Sequence, residues 1–366
     1  RELFVQSMAF ECPGQALATL GGIWPSAIER WHNEGLPAEV DSMPEFLAYF
    51  DLEPHIWSGA RAHLFTWPTF DYEVVEETDD KISYVNHMGI VCTDFKQDAY
   101  KSMPHFESFP VTNRQDWEAY RQRLQWTPER VGEEWHEQVA GWSERDAPLI
   151  LFLDRCGSLY GSLRDLFGME ALSFLYYDDP DLVVEIMDTI VELFIPTVEA
   201  LFADFTPDAV CLWEDMAYNH GSLVSVDHVR DLMVPRYRTM TAKLKELGVP
   251  HVFLDSDGNI SELIPLWLDA GIDGLVPMEV QSGMDVAEVR RQYPELLMCG
   301  GVDKKALAAG RDAIDREMDK VAQVVATGGY VPWFDHGLPH DVAYDDFVYY
   351  VERLREVTGR TQKATI

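Results

Sequence analysis

Two aspartates directly after a short apolar run are the residues of this sequence best suited to chemistry. Residues 252–254 are apolar, and Asp255 and Asp257 follow them. In an extended chain, side chains two residues apart point to the same side. A pair of carboxylates held this close has to share a cation, share a proton or remain in water. The segment therefore predicts either a cation site or an acid–base site.

The pair lies within a repeated pattern of short apolar segments, each followed by polar or glycine residues, that begins near residue 148. The segments are 149–153, 209–213, 252–254, 274–276, 296–298 and 330–334. Amphipathic stretches with helical spacing lie between them, at 180–205, 226–247, 261–270, 285–293 and 306–327. Strand, loop and helix repeated in this way are typical of a parallel α/β fold. In an α/β barrel, functional side chains lie at the carboxyl ends of the strands.

The ends of the predicted strands together carry an acidic ring with one histidine. Its members are Asp154, Arg155, Glu214, Asp215, Asp255, Asp257, Glu279, Asp303, Asp335 and His336. Burying so many carboxylates without compensation is costly. A divalent metal, a bound cationic group, or protonation of one carboxyl to give a general acid would each remove that cost. The residues alone leave these three alternatives open.

Asp255, Asp257 and His336 form the sharpest candidate metal site, with Glu214 as a fourth candidate ligand. Oxygen ligands combined with an imidazole suit zinc, iron or manganese. Two structural alternatives compete with this interpretation. Asp255 or Asp257 could cap a helix that begins near Ile260, and His336 could be a hydrogen-bonded structural histidine.

Further residues at the strand ends are candidates for catalysis and substrate binding. The acid–base candidates are Glu214, Asp215 and Glu279. Arg155 could hold a substrate carboxylate with two hydrogen bonds, or pair with one of the many neighbouring acids. Trp213 and Trp333 could stack against a ring of the substrate, or belong to the barrel core. We predict substrate binding for Arg155 and for both tryptophans.

The charge balance limits the classes of partner. The chain has 366 residues, with 29 Lys and Arg against 63 Asp and Glu, and a formal net charge of −34. Such a charge argues against nucleic acid or an anionic membrane as a partner. No apolar run reaches the roughly 18 residues of a membrane span, and the start of the chain lacks a signal-peptide pattern. We therefore expect a cytoplasmic protein that acts on a small molecule, with a homodimer as the default oligomer.

The N-terminal part differs in pattern from the rest. Residues 72–94 alternate in a way that predicts a hairpin. One short strand is predicted within residues 17–23, and residues 106–126 are interpreted as a polar linker with a helix. Without a Pro- or Ser-rich hinge, this part is expected to pack on the barrel rather than form a separate domain. We assign residues 1–147 to an N-terminal extension and cap that includes the first strand or strands, and residues 148–366 to the main part of the barrel.

Several runs in the C-terminal part resemble the uroporphyrinogen decarboxylase superfamily. This group includes the decarboxylase of haem synthesis and the methyltransferases that move methyl groups from corrinoid proteins. The runs that carry the resemblance are 214–215, 220–225, 234–237, 255–259, 271–274, 300–303 and 335–339, with a further one at 31–37. Their order and spacing are similar to those of the family over residues 148–358. The resemblance implies an α/β fold of the (β/α)8 TIM-barrel type, here with an N-terminal capping extension.

Departures from the family pattern bear on the ligand. The decarboxylases carry an arginine-rich segment that grips propionate groups, whereas residues 19–26 here contain no arginine. The corrinoid methyltransferases hold zinc with a His-x-Cys pair and a later Cys. In the alignment with them, Asp255 and Asp257 occupy the places of that pair, and His336 occupies the place of the later Cys. The resemblance thus implies a three-ligand site without thiolates, in which the identity of the divalent metal, zinc in the family, is left open.

Three functions remain as hypotheses. The first is methyl transfer assisted by a metal at Asp255, Asp257 and His336, and linked to a corrinoid protein or another one-carbon carrier. The second is a metal-independent decarboxylase or related lyase that binds a carboxylated small molecule through Arg155 and uses Asp255 as an acid. The third is a non-catalytic barrel that holds a small ligand or a corrinoid partner. Fold alone cannot separate them, because barrels host many activities.

Overall fold

The computed structural model describes residues 1–97 and 103–360. Its strands are β1 (Trp57–Gly59), β2 (Glu73–Glu77), β3 (Lys81–Val85), β4 (Val91–Phe95), β5 (His105–Ser108), β6 (Ile150–Phe152), β7 (Ala209–Trp213), β8 (Ala217–Tyr218), β9 (Gly221–Ser222), β10 (Val252–Asp255), β11 (Gly274–Val276), β12 (Leu297–Cys299) and β13 (Tyr330–Val331). A seven-stranded sheet has the order β1-β6-β7-β10-β11-β12-β13, and all of its pairs are parallel. Strands β2 to β5 form an antiparallel sheet, and β8 pairs with β9.

Helices connect and cover these strands. They are α1 (Glu2–Met8), α2 (Pro25–Glu34), α3 (Met43–Tyr49), α4 (Arg114–Tyr120), α5 (Glu133–Gly141), α6 (Tyr160–Phe167), α7 (Met169–Asp178), α8 (Pro180–Leu201), α9 (Val226–His228), α10 (Val234–Glu246), α11 (Ile264–Asp269), α12 (Val286–Gln292), α13 (Lys304–Ala308), α14 (Arg311–Val325) and α15 (Tyr344–Val357). Within the described ranges, none of the helices is both long enough and apolar enough to cross a bilayer.

Parallel pairing places the ends of the predicted strands side by side. Each of the six apolar segments in the sequence overlaps a strand of the seven-stranded sheet. They are apolar throughout because a parallel sheet that is covered on both sides needs apolar residues on both faces. Asp255, the last residue of β10, is in register with Trp213 at the end of β7 and with Val276 at the end of β11. The candidate residues therefore meet at one edge of the sheet.

The curled sheet separates two buried layers. Ile150 and Phe253 belong to an inner cluster, which Phe4 of α1 completes. Leu151 and Leu254, their neighbours in sequence, belong to the larger cluster formed with the surrounding helices. Alternate residues of a strand point to opposite faces. The inner face is thus filled by side chains, and the open space for a ligand lies at the strand ends.

The short strand predicted within residues 17–23 does not form a continuous ladder with the parallel sheet. In the part of the chain that the structure describes, the segment 17–23 takes part in one isolated bridge, between Ile23 and Leu338. The N–H of Ala18 donates instead to the Glu53 carboxylate, at 2.8 Å, so a continuous ladder does not form there. The structure shows an α/β fold with a curled parallel sheet of seven strands. It does not show the complete eight-stranded barrel that the resemblance implies.

The N-terminal region contributes the antiparallel sheet and β1. The hairpin predicted within residues 72–94 is confirmed, because β2, β3 and β4 pair in antiparallel order. The interpretation of residues 106–126 as a linker and a helix is only partly right. This segment begins within β5, which pairs with β4, and reaches α4 after the cap at Asn113. Strand β1 pairs with β6, so residues before 147 do contribute to the parallel sheet.

Two predicted helices are interrupted. The helix expected over residues 306–327 is divided into α13 and α14 at Gly310, whose φ of +86° is unfavourable for other residues. The helix expected over residues 226–247 contains a π-helical segment, Val229–Met233, between α9 and α10. Pro235 follows it, and its missing N–H explains a local change of hydrogen-bond pattern.

Candidate functional site

A cavity of about 470 Å³, which we call the mouth cavity, opens at the carboxyl edge of the parallel sheet. The predicted strand-end residues that line it are Trp213, Asp215, Asp255, Asp257, Trp333, Asp335 and His336. They meet there because each of them ends or follows a strand of the same sheet. Glu214, Glu279 and Arg155 are not among the lining residues.

Three side chains beside the mouth cavity, which we call the acid–histidine cluster, have donor atoms close enough to share a divalent ion. Asp257, Glu279 and His336 follow β10, β11 and β13, and one donor atom from each lies within 4.8 Å of the others. The His336 Nε2 atom is 3.1 Å from Asp257 Oδ1. The Glu279 carboxylate accepts a 2.8 Å hydrogen bond from the Gly258 N–H.

The cluster shares two residues with the predicted ligand set. Glu279, which was predicted as an acid–base residue, stands beside Asp257 and His336 in the place assigned to Asp255. Two carboxylates and an imidazole still suit zinc, iron or manganese, so the donor set fits a divalent metal. The helix-cap alternative for Asp257 finds no support, because its carboxylate contacts His336 and α11 begins only at Ile264.

Asp335 lies behind the cluster. It is buried, and its Oδ2 accepts a 2.9 Å hydrogen bond from the Val280 N–H. Its Oδ1 lies 3.9 Å from His336 Nδ1 and 3.7 Å from Lys304 Nζ, and neither Oδ1 nor Nδ1 has a hydrogen-bond partner within the described ranges. Contacts with Asp257, and then with Asp335, raise the pKa of His336 to about 10. A metal that binds the imidazole would therefore have to displace a proton.

Asp255 lies next to the cluster at the end of β10. Burial, followed by repulsion from Asp257 and Asp215, raises the pKa of its carboxyl to about 8, whereas His336 acts in the opposite direction. No described residue donates a hydrogen bond to this carboxylate. Such a carboxyl can hold a proton at neutral pH and pass it to a substrate, or face a cation.

Glu214 has a different environment from the one predicted. Its carboxylate accepts hydrogen bonds of 2.7 to 3.1 Å from the main-chain N–H groups of residues 159–161, at the start of α6. The hydroxyl groups of Ser158 and Tyr237 donate at 3.3 and 2.5 Å. Burial raises the pKa of Glu214 to about 7, against the lowering effect of these bonds. The geometry favours a structural role over the predicted acid–base role, because the carboxylate is fully buried outside the mouth cavity.

Arg155 is committed to neighbouring acids. Its Nη1 lies 2.6 Å from the Asp154 carboxylate and its Nε lies 2.7 Å from the Asp165 carboxylate. Its guanidinium group lies 3.9 Å from the centre of the Trp213 ring. Of the two alternatives for Arg155, pairing with neighbouring acids is therefore the one that the structure favours over capture of a substrate carboxylate.

Arg164 and Trp57 are site residues that the sequence interpretation missed. Arg164 Nη1 donates to the Asp215 carboxylate at 3.0 Å, and burial raises the pKa of Asp215 while Arg164 lowers it. Both residues line a second cavity of about 950 Å³, which reaches the antiparallel sheet. Trp57, at the start of β1, lines the mouth cavity. Arg164 lies within α6, and Trp57 lies at the amino end of its strand. Neither follows the carboxyl end of an apolar segment, which is the pattern by which the other site residues were predicted.

A parallel α/β sheet with a cavity and a cluster of candidate metal ligands at the carboxyl ends of its strands is the arrangement found in barrel-type enzymes. The profile of the uroporphyrinogen decarboxylase (URO-D) family matches residues 101–357, and the chain belongs to this family. No curated protein sequence matches the chain.

Solved structures extend this likeness over the whole fold. The chain is similar to a methyltransferase from Methanosarcina mazei, with 15% sequence identity, 97% of this chain and 96% of that chain covered, and a TM-score of 0.59. A B12-independent methionine synthase from Shewanella sp. W3-18-1 has 13% identity, with 79% of this chain and 73% of that chain covered and a TM-score of 0.35. At 15% identity the likeness to the Methanosarcina mazei protein concerns the fold alone. The TM-score of 0.35 for the Shewanella protein is too low to indicate the same fold.

Proposed function

We propose that this protein is a methyltransferase in which a divalent metal at the acid–histidine cluster assists the transfer of a methyl group to or from a small molecule. The observation that carries the proposal is the approach of the Asp257, Glu279 and His336 donor atoms to within 4.8 Å beside the mouth cavity. Family membership and the fold likeness to a methyltransferase support methyl transfer over other metal-assisted reactions.

The residues around the cluster have separate tasks in this proposal. A metal held by the cluster would supply Lewis-acid chemistry. Asp335 would orient His336 from behind, as carboxylates next to ligating histidines do. Asp255 would face the reacting group with a carboxylate to which no described residue donates a hydrogen bond. Trp213 and Trp333 would keep water away from it.

The methyl carrier belongs to the same proposal. Methyltransferases of the superfamily move methyl groups from corrinoid proteins, and we extend this to a corrinoid protein, or another one-carbon carrier, as the partner here. The two cavities share Asp215 and Met103 in their linings. Two adjacent openings would let the small molecule and the carrier approach the cluster from different sides.

The decarboxylase alternative loses its main support. It assigned carboxylate binding to Arg155, which pairs with Asp154 and Asp165. The described residues that line the mouth cavity include no lysine or arginine, so a carboxylated substrate would meet mainly acids and aromatic rings. A barrel that binds without turnover is the remaining alternative, and a transfer assay separates it from an enzyme.

Metal content and methyl transfer test the proposal together. The purified chain is loaded with zinc, iron(II) or manganese and dialysed, and its metal is then quantified. Transfer from free methylcobalamin to added small thiols or amines, which releases cob(I)alamin, is followed by absorbance. We expect stoichiometric metal in the wild type, and loss of both metal and transfer in Asp257→Ala.

Glu352→Gln changes an exposed acid of α15 and serves as the control. It should retain both the metal and the transfer. A wild type that binds none of the three metals, together with unchanged transfer in Asp257→Ala, would overturn the proposal.

A further inference from the structure

The mouth cavity combines acids with aromatic walls. Its lining includes Asp215, Asp255, Asp257, Trp57, Trp213 and Trp333. Aromatic rings attract cations through their quadrupole, and carboxylates attract them through their charge. Asp215 already pairs with Arg164, and Asp257 with His336, whereas Asp255 forms no ion pair with a described residue. The composition of the cavity therefore favours a cationic ligand over a neutral or anionic one.

Two carboxylates of this cavity have oxygen atoms that lack a hydrogen-bond donor. The Asp255 carboxylate receives no hydrogen bond from any described residue. Asp335, which is 4% exposed, also lines the cavity, and its Oδ1 has no hydrogen-bond partner in the described ranges. Lys304 Nζ lies 3.7 Å from the Asp335 oxygen and offsets its charge, whereas the half-buried Asp255 forms no ion pair with a described residue. A metal at the acid–histidine cluster would offset the charge of Asp257, but Asp255 lies outside that cluster.

The aromatic walls are fixed in place. Trp333 is buried, and the centre of its ring lies 5.9 Å from that of Trp57 with an angle of 86° between the ring planes. Trp213 already contacts a cation, the Arg155 guanidinium group. Walls that meet at a right angle can enclose a compact group such as a methylated nitrogen, as aromatic cages do.

We propose that the mouth cavity binds the methylated ammonium group of a small-molecule substrate, with its charge beside Asp255 and its methyl groups against Trp57 and Trp333. The inference rests on the proposed function to the extent that the mouth cavity is taken as the substrate site. A methylated ammonium suits the site better than a primary one, because its methyl groups bury apolar surface against the rings. The net charge of −34 attracts cations at long range.

Choline binding to the metal-free protein tests this inference. The alcohol 3,3-dimethylbutan-1-ol has the same shape as choline without the charge, and ethanolamine has the charge without the methyl groups. In calorimetric titrations of the chelator-treated full chain, we expect choline to bind about tenfold more tightly than either compound. Equal affinity for choline and the alcohol would exclude recognition of the charge, and tighter binding of ethanolamine would exclude recognition of the methyl groups.

Variants locate the site. Asp255→Asn and Trp333→Leu are each expected to weaken choline binding about tenfold. Trp333→Phe should keep part of the affinity, and Glu352→Gln should keep all of it. Thermal unfolding identifies any variant that has failed to fold. Choline affinity that is unchanged in a folded Asp255→Asn variant would overturn the inference.

Metal content, measured on the same preparations before chelation, separates this inference from the proposed function. If the wild type holds metal and transfers methyl groups but does not bind choline, the ammonium site is rejected and the proposed function stands. If choline binds but the protein holds no metal and transfers no methyl group, the proposed function is rejected and the ammonium site stands.

Discussion

Strands β7 and β10 are neighbours that both lead into carboxylates, but these carboxylates have opposite environments. After β7, Glu214 is fully buried and accepts hydrogen bonds from three main-chain N–H groups and from the hydroxyls of Ser158 and Tyr237. At the end of β10, Asp255 faces the mouth cavity and receives no hydrogen bond from the described part of the chain. Five donors contact the Glu214 carboxylate, and no donor from residues 1–97 or 103–360 contacts that of Asp255.

The difference shows that donors, rather than position at a strand end, decide what a carboxylate does here. Glu214 joins the end of β7 to the start of α6 and, through Tyr237, to α10. Among the described residues Asp255 has no such partners, so a proton, a ligand or water has to compensate its charge. The first residue stabilises the scaffold, and the second is available for chemistry.

The largest effect is expected from Glu214→Gln. Both oxygens of Glu214 accept hydrogen bonds, and the amide NH₂ of glutamine would face donors instead. We expect the free energy of unfolding to fall by about 2–4 kcal/mol, because buried donors lose their acceptor. Urea denaturation measures this loss. Glu352→Gln makes the same chemical change at an exposed position, and an equal effect in both variants would contradict the structural role of Glu214.

A smaller effect distinguishes Glu279 from Asp255 as the third metal ligand. Glu279→Gln changes a proposed direct ligand and should lower metal affinity by at least the roughly 10–100-fold that loss of an outer-shell partner costs, while its remaining oxygen can still accept the hydrogen bond from Gly258. Asp255→Asn should change metal affinity much less, because Asp255 is not part of the acid–histidine cluster. Competition with a chromophoric chelator measures both values. The opposite ranking would restore the ligand set predicted from the sequence.

Strand ends could be predicted from the sequence because each one is a local pattern. Apolar runs followed by Asp255, Asp257 and His336 indicated side chains at one edge of a parallel sheet, and the structure places these three together in the mouth cavity. The position of Glu279 beside them depends on the direction its side chain takes after β11, which no run of residues specifies.

Contacts between distant segments could not be predicted in this way. Glu214 accepts a hydrogen bond from the N–H of Tyr160 at the start of α6, 54 residues earlier in the chain. Arg155 donates to the carboxylate of Asp165 within α6, 10 residues later. The same limit applies to the fold. Residues 17–23 were expected to be a strand, but Ala18 bonds to the side chain of Glu53. Sequence periodicity describes which face a residue is on, and it does not identify the partner.

The smallest effect concerns the charge of Asp255 itself, and it is measured in chelator-treated protein. In the folded chain the pKa of this carboxyl is raised from its ordinary 3.8 to about 8. Between these pH values the folded state holds more protons than the unfolded state, so the stability of the wild type should fall as the pH rises. Asp255→Asn removes the contribution of this carboxyl, while the contributions of Glu214 and His336, which have the same sign, remain in both proteins. We expect the variant to match the wild type near pH 4 and to exceed its free energy of unfolding by about 1–2 kcal/mol near pH 9.

Denaturation at several pH values, with Glu352→Gln as the control, therefore completes the comparison between the two strands. Replacement of the carboxylate by an amide should destabilise the protein in Glu214→Gln, after β7, and stabilise it in Asp255→Asn, at the end of β10. If Asp255→Asn instead loses stability relative to the wild type as the pH rises, the ionised Asp255 has a compensating donor in solution. In that case the two carboxylates are alike, and Asp255 belongs to the scaffold as Glu214 does.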